Sequence, residues 1–110
     1  MAKNNDLMKK IRAGNAVENN GKVLLSINLL RHEFIKLKNV YRALAGDLSE
    51  QEYLDSINYL SLEGYISLRD FDSKADARLA DADYLELEAL VTSKGIRLLG
   101  GIVRDEMVDV

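Results

Sequence analysis

From Lys22 onward the apolar positions fall at helical spacing. Val23, Ile27, Leu30 and Phe34 stand at i, i+4, i+7 and i+11, with Leu24 widening the stripe, which predicts a helix over about 22–32. Phe34, Ile35 and Leu37 follow closely, as if the chain turns while staying in the core. A second short helix is expected over about 38–45, burying Leu37, Val40, Tyr41 and Leu44, with Gly46 at the position where a left-handed cap is cheap. Ser49 and Glu52 have the spacing of a capping box, and Leu48 and Tyr53 that of a hydrophobic staple. They open a third helix over about 50–62 with Tyr53, Leu54, Ile57 and Leu60 inward and Gly64 at its end.

The period then changes. Tyr65–Arg69 alternates as a half-buried strand. Asp70–Asp83 is polar and has no apolar period. Tyr84–Val91 alternates again, with Leu85, Leu87, Ala89 and Val91 on one face and Glu86 and Glu88 on the other, so a hairpin with a long loop is expected. Thr92 or Ser93 caps a last helix to about Leu99, stopped by Gly100-Gly101. The segment 102–110 reads as extended or irregular. At the other end, Asn4, Asn5 and Asp6 are placed to cap a short helix with Leu7, Met8 and Ile11 on its apolar face, and Gly14 and the Asn/Gly-rich stretch Asn15–Gly21 read as a linker. The expected organisation is a basic N-terminal arm (1–21), a domain (22–101) and a C-terminal tail (102–110).

The order is three helices, a hairpin and a helix, an α+β fold. The run LSEQEYLDSINYLSLEGYISL, with Leu60 and Gly64 closing the capped helix, and the run LVTSKGIRLLGG, with Thr92, Lys94-Gly95 and Leu98-Leu99, resemble the winged helix-turn-helix family, in particular small winged-helix proteins carried by bacteria and their phages and prophages. The resemblance covers about residues 22–101. It implies a two-stranded wing hairpin, double-stranded DNA as partner, transcriptional regulation, and a third helix lying in the major groove.

Charge complicates that implication. The chain has 15 basic and 18 acidic residues, net −3, but up to Leu48 the balance is +5 and from Ser49 onward it is −8. Local fields, more than the total, are what a partner feels. No Lys or Arg lies between Ser49 and Leu68, and the expected wing holds five Asp against Lys74 and Arg78. Phosphate contacts supply much of the affinity for DNA, so the candidates divide. Gln51 and Asn58, on the outer face of the third helix beside Asp55 and Glu52, are the residue types that read adenine. Lys22, Arg31, Lys36, Lys38 and Arg42, with Lys74 and Arg78 of the wing, are the candidate phosphate contacts. Tyr59 and Leu62, expected exposed on the third helix, point instead to a protein interface, and interfaces favour Tyr and deplete charge at their centre. The alternative reading is therefore a protein-interaction or dimerisation module, self-associating through the third helix or the terminal segments.

Composition narrows the chemistry. There is no cysteine, which excludes disulfides, thiolate metal sites and a cysteine nucleophile. His32 is the lone histidine. The run Asp70-x-Asp72-x-Lys74 fails as a calcium loop, with Lys74 at position five, Ala75 where Gly is expected and Asp81 where a bidentate Glu belongs. Gly95, Gly100 and Gly101 do not form a phosphate loop. No enzyme activity, cofactor or metal is expected. No apolar run is long enough to cross a bilayer, and the N-terminus lacks the apolar core of a signal peptide, so a cytoplasmic, non-membrane protein is expected.

Overall fold

The computed structural model describes residues 2–110, with side chains from Asp6 onward. The elements are α1 (Ala2–Asn28), β1 (Ile35–Lys36), α2 (Leu37–Leu44), α3 (Glu50–Leu62), β2 (Ile66–Asp70), β3 (Leu87–Val91) and α4 (Ser93–Leu99), with single 3-10 turns at Leu79–Asp81 and Tyr84–Glu86. The three strands form one antiparallel sheet in the order β1-β3-β2. The fold is α+β, with the helices packed on one face of that sheet. Its core is Val23, Leu24 and Ile27 of α1, Leu37 and Val40 of α2, Tyr53, Ile57 and Leu60 of α3, and Ile66, Leu68, Leu87, Ala89 and Val91 of the strands.

Several elements follow from local chemistry alone. Ser49 Oγ accepts from the Glu52 amide, and the Glu52 carboxylate accepts from the Ser49 amide at 2.9 Å, so α3 begins with the expected capping box. It ends in a Schellman arrangement: the Tyr65 amide donates to the Leu60 carbonyl, the Gly64 amide to that of Ser61, and Gly64 takes φ +79°. Gly101, also at φ +79°, ends α4 in the same way. Thr92 is the N-cap of α4. Its hydroxyl accepts from the Gly95 amide and donates to the Gly64 carbonyl, tying this helix to the turn that closes α3.

Four expectations are corrected. First, the arm and linker of 1–21 belong to one 27-residue helix, about 40 Å long at 1.5 Å per residue. Asn4, Asn5 and Asp6 lie inside this helix and not at its start, and the side chains of Lys3, Asn4 and Asn5 lie outside the described residues. The polar stretch that suggested a linker instead makes tertiary contacts. Asn20 Nδ2 donates to the Met107 carbonyl at 2.8 Å, Asn19 reaches Glu52, and a Cβ on Gly21 would stand 1.8 Å from the Asp109 carbonyl oxygen. The same helix stops at Asn28 rather than near 32.

Second, Ile35–Lys36 supplies a third strand, because these residues pair with Ala89 and Glu88. Third, Gly46 is not left-handed. The α2 C-cap is Ala45, in the right-handed region, and the turn closes through the Asp47 and Leu48 amides on the Leu44 carbonyl. Fourth, the alternation at Tyr84–Glu86 is a 3-10 turn with Leu85 exposed, and Glu88, expected to face outward into solvent, is buried.

The β2–β3 connection folds back along β2 before it reaches β3. Asp70 Oδ1 accepts from the Asp72 and Ser73 amides, turning the chain back so that Asp76 pairs with Arg69 and the Ala77 amide donates to the Leu68 carbonyl. The strap then runs beside α3 and packs Ala77, Leu79, Ala82 and Tyr84 against the core. The Tyr84 ring lies 6.5 Å from Tyr41 and 6.1 Å from Tyr53, and its hydroxyl donates to Glu50.

Candidate nucleic-acid interface

The outer face of the sheet carries one row of charge. Across the three strands Lys36, Glu88 and Arg69 are register partners, so their side chains share the face opposite Ile35, Ala89 and Leu68. Glu88 is 4% exposed and is bonded to the Arg69 guanidinium and to Lys74 Nζ at 3.2 Å. Burial alone would raise the Glu88 carboxyl, but the bonds and charges of Arg69 and Lys74 hold it below its ordinary value. Two aromatic rings flank the row. Arg69 lies over Phe34 at 3.5 Å, and Lys36 and Lys74 lie over Phe71 at 3.7 and 4.5 Å. Lys74 reaches this position with φ 62°, at the turn made by Asp70. Two cations thus pair with one buried acid, and Lys36 completes the row beside them. Sequence reasoning chose Lys36 and Lys74 but missed Arg69, Phe34, Phe71 and Glu88, whose grouping depends on strand register.

The candidate residues do not all meet. Arg31 is in the turn after α1, and Lys38 and Arg42 are one turn apart on α2, so with Lys36 the segment 31–42 bears four cations against Glu33. Lys22 is exposed on α1, on the side away from the core. Gln51 is exposed on α3, where its amide donates to Asp55 at 2.8 Å. Asn58, Leu62 and Arg78 do meet, lining a groove of about 440 Å³ between the C-terminal half of α3 and the strap. Arg78 there donates to Asp81 at 3.0 Å. The outward strip of α3, made of Gln51, Asp55, Asn58 and Leu62, carries no cation and has α1 on one side and the strap on the other.

Tyr59 is not the exposed residue expected. It is half-buried, and its hydroxyl and that of Tyr65 both donate to Asp105 Oδ2, at 2.6 and 2.7 Å, while Asp105 Oδ1 accepts from the Met107 amide. Together with buried Val108, this latches the irregular segment 102–110 onto α3 and α1. Only Leu62, 76% exposed, remains an open apolar residue of the pair.

Titration of the latch has a definite sign. Burial would raise Asp105, but the two tyrosine hydroxyls and the Met107 amide outweigh it and keep its carboxyl below the ordinary 3.8. Burial, then the bond to Asp105, pushes Tyr65 up to about 12. A depressed carboxyl stabilises the folded state above its unfolded value and loses that contribution as pH falls through the folded value. A raised phenol contributes fully below 10 and loses it as pH rises towards 12. Hydrogen exchange at the Val108 and Asp109 amides should therefore be slowest relative to the rest of the core between about pH 4 and 10. Asp105→Ala should abolish that protection at neutral pH while the core amides of α3 remain protected.

Among the described residues no helix is long and apolar enough to cross a membrane, and no group of three or more His, Cys, Asp or Glu side chains is placed to hold a metal ion. No protein-family model, curated protein or solved structure matches the chain.

Proposed function

We propose that the chain is a small winged helix-turn-helix protein that binds double-stranded DNA, in the manner of a transcriptional regulator. The observation that carries this reading is topological: the order α1-β1-α2-α3-β2-β3 with the sheet arranged β1-β3-β2 sets α2, a five-residue turn and capped α3 beside a hairpin. The charge distribution adds a condition. Backbone contacts come from Arg31, Lys38 and Arg42, whereas α3 offers Asn58 to base edges and no cation to phosphate. Sequence readout and phosphate binding therefore sit on different helices.

Three phosphate contacts give a shallow salt dependence, with a log–log slope of roughly −3. Fluorescence anisotropy against duplex DNA at low and physiological salt tests this. Lys38→Glu with Arg42→Glu should weaken binding at least about tenfold and flatten the slope to about −1. Asn58→Ala should leave the slope unchanged while altering sequence preference. Binding that is absent at both salts, or unaffected by the α2 pair, overturns the proposal.

A second reading is favoured by one observation. Exposed Glu50 and Asp55 stand on α3 without a cation from the same helix, and its exposed face ends at Leu62. This is a surface suited to a basic protein partner rather than a nucleic acid. Leu62→Asp tests it cleanly, since Tyr59 is engaged with Asp105.

A further inference from the structure

The N-terminal half of α1 projects from the domain. Every described side chain from Asp6 to Asn15 is exposed, and none belongs to the core. That helix nevertheless bears apolar residues on its outward side. At 3.6 residues per turn, Leu7, Ile11, Gly14, Glu18, Lys22, Leu25 and Leu29 fall in one arc about 80° wide, opposite the arc of Asn20, Val23, Leu24 and Ile27 that meets the core. Leu29 lies just past the helix, and its amide donates to the Ser26 carbonyl, so it extends the last turn. The four apolar members are all open: Leu7 57%, Ile11 48%, Leu25 47% and Leu29 80% exposed.

The stripe is apolar at both ends and charged between them. The intervals run 4, 3, 4, 4, 3, 4. Two such helices laid antiparallel about Glu18 set Leu7 against Leu29, Ile11 against Leu25 and Gly14 against Lys22. Such spacing surrounds any position of a helix; what is particular here is the chemistry, with leucine and isoleucine at the ends, charge in the middle, and glycine leaving room opposite lysine. Two-fold symmetry requires such a self-complementary surface. Charge is complementary too. At the axis the two Glu18 carboxylates are each flanked by Lys22 of their own helix, one turn on, and by Lys22 of the other copy. The contact runs about 33 Å along α1, long enough for a two-helix seam.

We propose that the chain forms a two-fold homodimer by antiparallel pairing of its α1 helices through this stripe, with Glu18 on the axis. The dimer does not rest on the DNA-binding reading. Neither α2 nor α3 takes part in it.

Sedimentation velocity over a concentration series on the full chain tests it. Ile11→Asp should raise the dimer dissociation constant at least about tenfold, and Leu62→Asp, on α3, should leave it unchanged. The charged centre gives a test that does not disturb the core, because Glu18 and Lys22 are exposed. Glu18→Lys alone places four positive charges at the axis and Lys22→Glu alone places four negative charges there, so each variant should be monomeric. Mixed together they should form a heterodimer, and the double exchange Glu18→Lys with Lys22→Glu should restore the homodimer.

Direction is read by cross-linking, since the chain has no cysteine of its own. Glu18→Cys should oxidise to a disulfide-linked dimer, as should a mixture of Leu7→Cys and Leu29→Cys chains, but not Leu7→Cys alone. A chain that stays monomeric at millimolar concentration, a dimer indifferent to Ile11→Asp, or a Leu7→Cys chain that cross-links to itself overturns the proposal. So does a chain that is monomeric in solution and gathers only on phosphatidylcholine vesicles.

Discussion

Gly95→Ala is expected to destabilise the protein by about 1–3 kcal/mol, although alanine is the better helix former by about 1 kcal/mol. The reason is a backbone contact. A Cβ on Gly95 would stand 2.3 Å from the Tyr65 carbonyl oxygen and 2.8 Å from Val91 Cγ2. No side-chain rotation relieves the first clash, so α4 has to move off the sheet. That movement strains the Thr92 amide bond to the same carbonyl and the Thr92 hydroxyl bond to Gly64. Over-packing and weakened hydrogen bonds together exceed the gain in propensity. The comparison is Gly14→Ala, in a helix with nothing within 4 Å of the added carbon, which should stabilise by roughly 0.5–1 kcal/mol. Urea denaturation of both variants at concentrations where the chain is monomeric decides the matter. Equal effects of the same sign would show that propensity, and not the approach of α4 to Tyr65, controls the site.

Arg69→Met should cost about 2–4 kcal/mol, near the value for breaking a buried ion pair but reduced because Lys74 still reaches Glu88. Glu88 is the buried member: its side chain is 5% exposed, against 28% for Arg69 and 49% for Lys74. Removing the guanidinium leaves the carboxylate desolvated with a single bond, whereas removing the carboxylate leaves two cations that water already reaches. Glu88→Met should therefore cost less, about 1 kcal/mol, and the double variant Arg69→Met with Glu88→Met should be close to Glu88→Met alone. The pH dependence follows from the same cluster. Because Glu88 is held below its ordinary 4.5 in the folded protein, its contribution is complete above that value and is lost as pH falls through the folded one. The difference in stability between wild type and Glu88→Met should shrink on acidification through this range. Thermal melts at pH 7 and pH 3 measure it.

The elements legible from sequence are those whose signals are local. The α3 boundaries follow from Ser49, Glu52 and Gly64, because a capping box and a left-handed glycine act within six residues. Thr92 and Gly101 delimit α4 for the same reason. The stripe of Val23, Leu24 and Ile27 places that part of α1 in the core, since a helical period of apolar residues has to be covered.

The elements misread are those whose residues act at long range. Asn19, Asn20 and Gly21 have poor helix propensity and read as a linker. They are helical because Glu52, the Met107 carbonyl and the Asp109 backbone come to meet them from 33 to 88 residues away. Strand β1 is two residues long and has no period to detect; it exists because β3 offers an edge. Glu88 sits at an outward position of an alternating run, and that reading of its face is right. What the alternation could not show is that Arg69, Lys74 and two phenylalanines cover the face. Tyr59 was expected in solvent because nothing in α3 says that a C-terminal aspartate will reach its hydroxyl.

Among the candidate site residues the division is the same. The sequence alone determined that cations concentrate before Leu48 and that α3 carries none, for these are counts. Only the tertiary structure decided that Lys36 and Lys74 belong to one charged row, that Asn58, Leu62 and Arg78 share a groove, and that Lys22 lies on the outward side of a helix that leaves the domain. Propensity and capping are settled between neighbours along the chain, whereas burial and charge pairing depend on which distant segment arrives to exclude water.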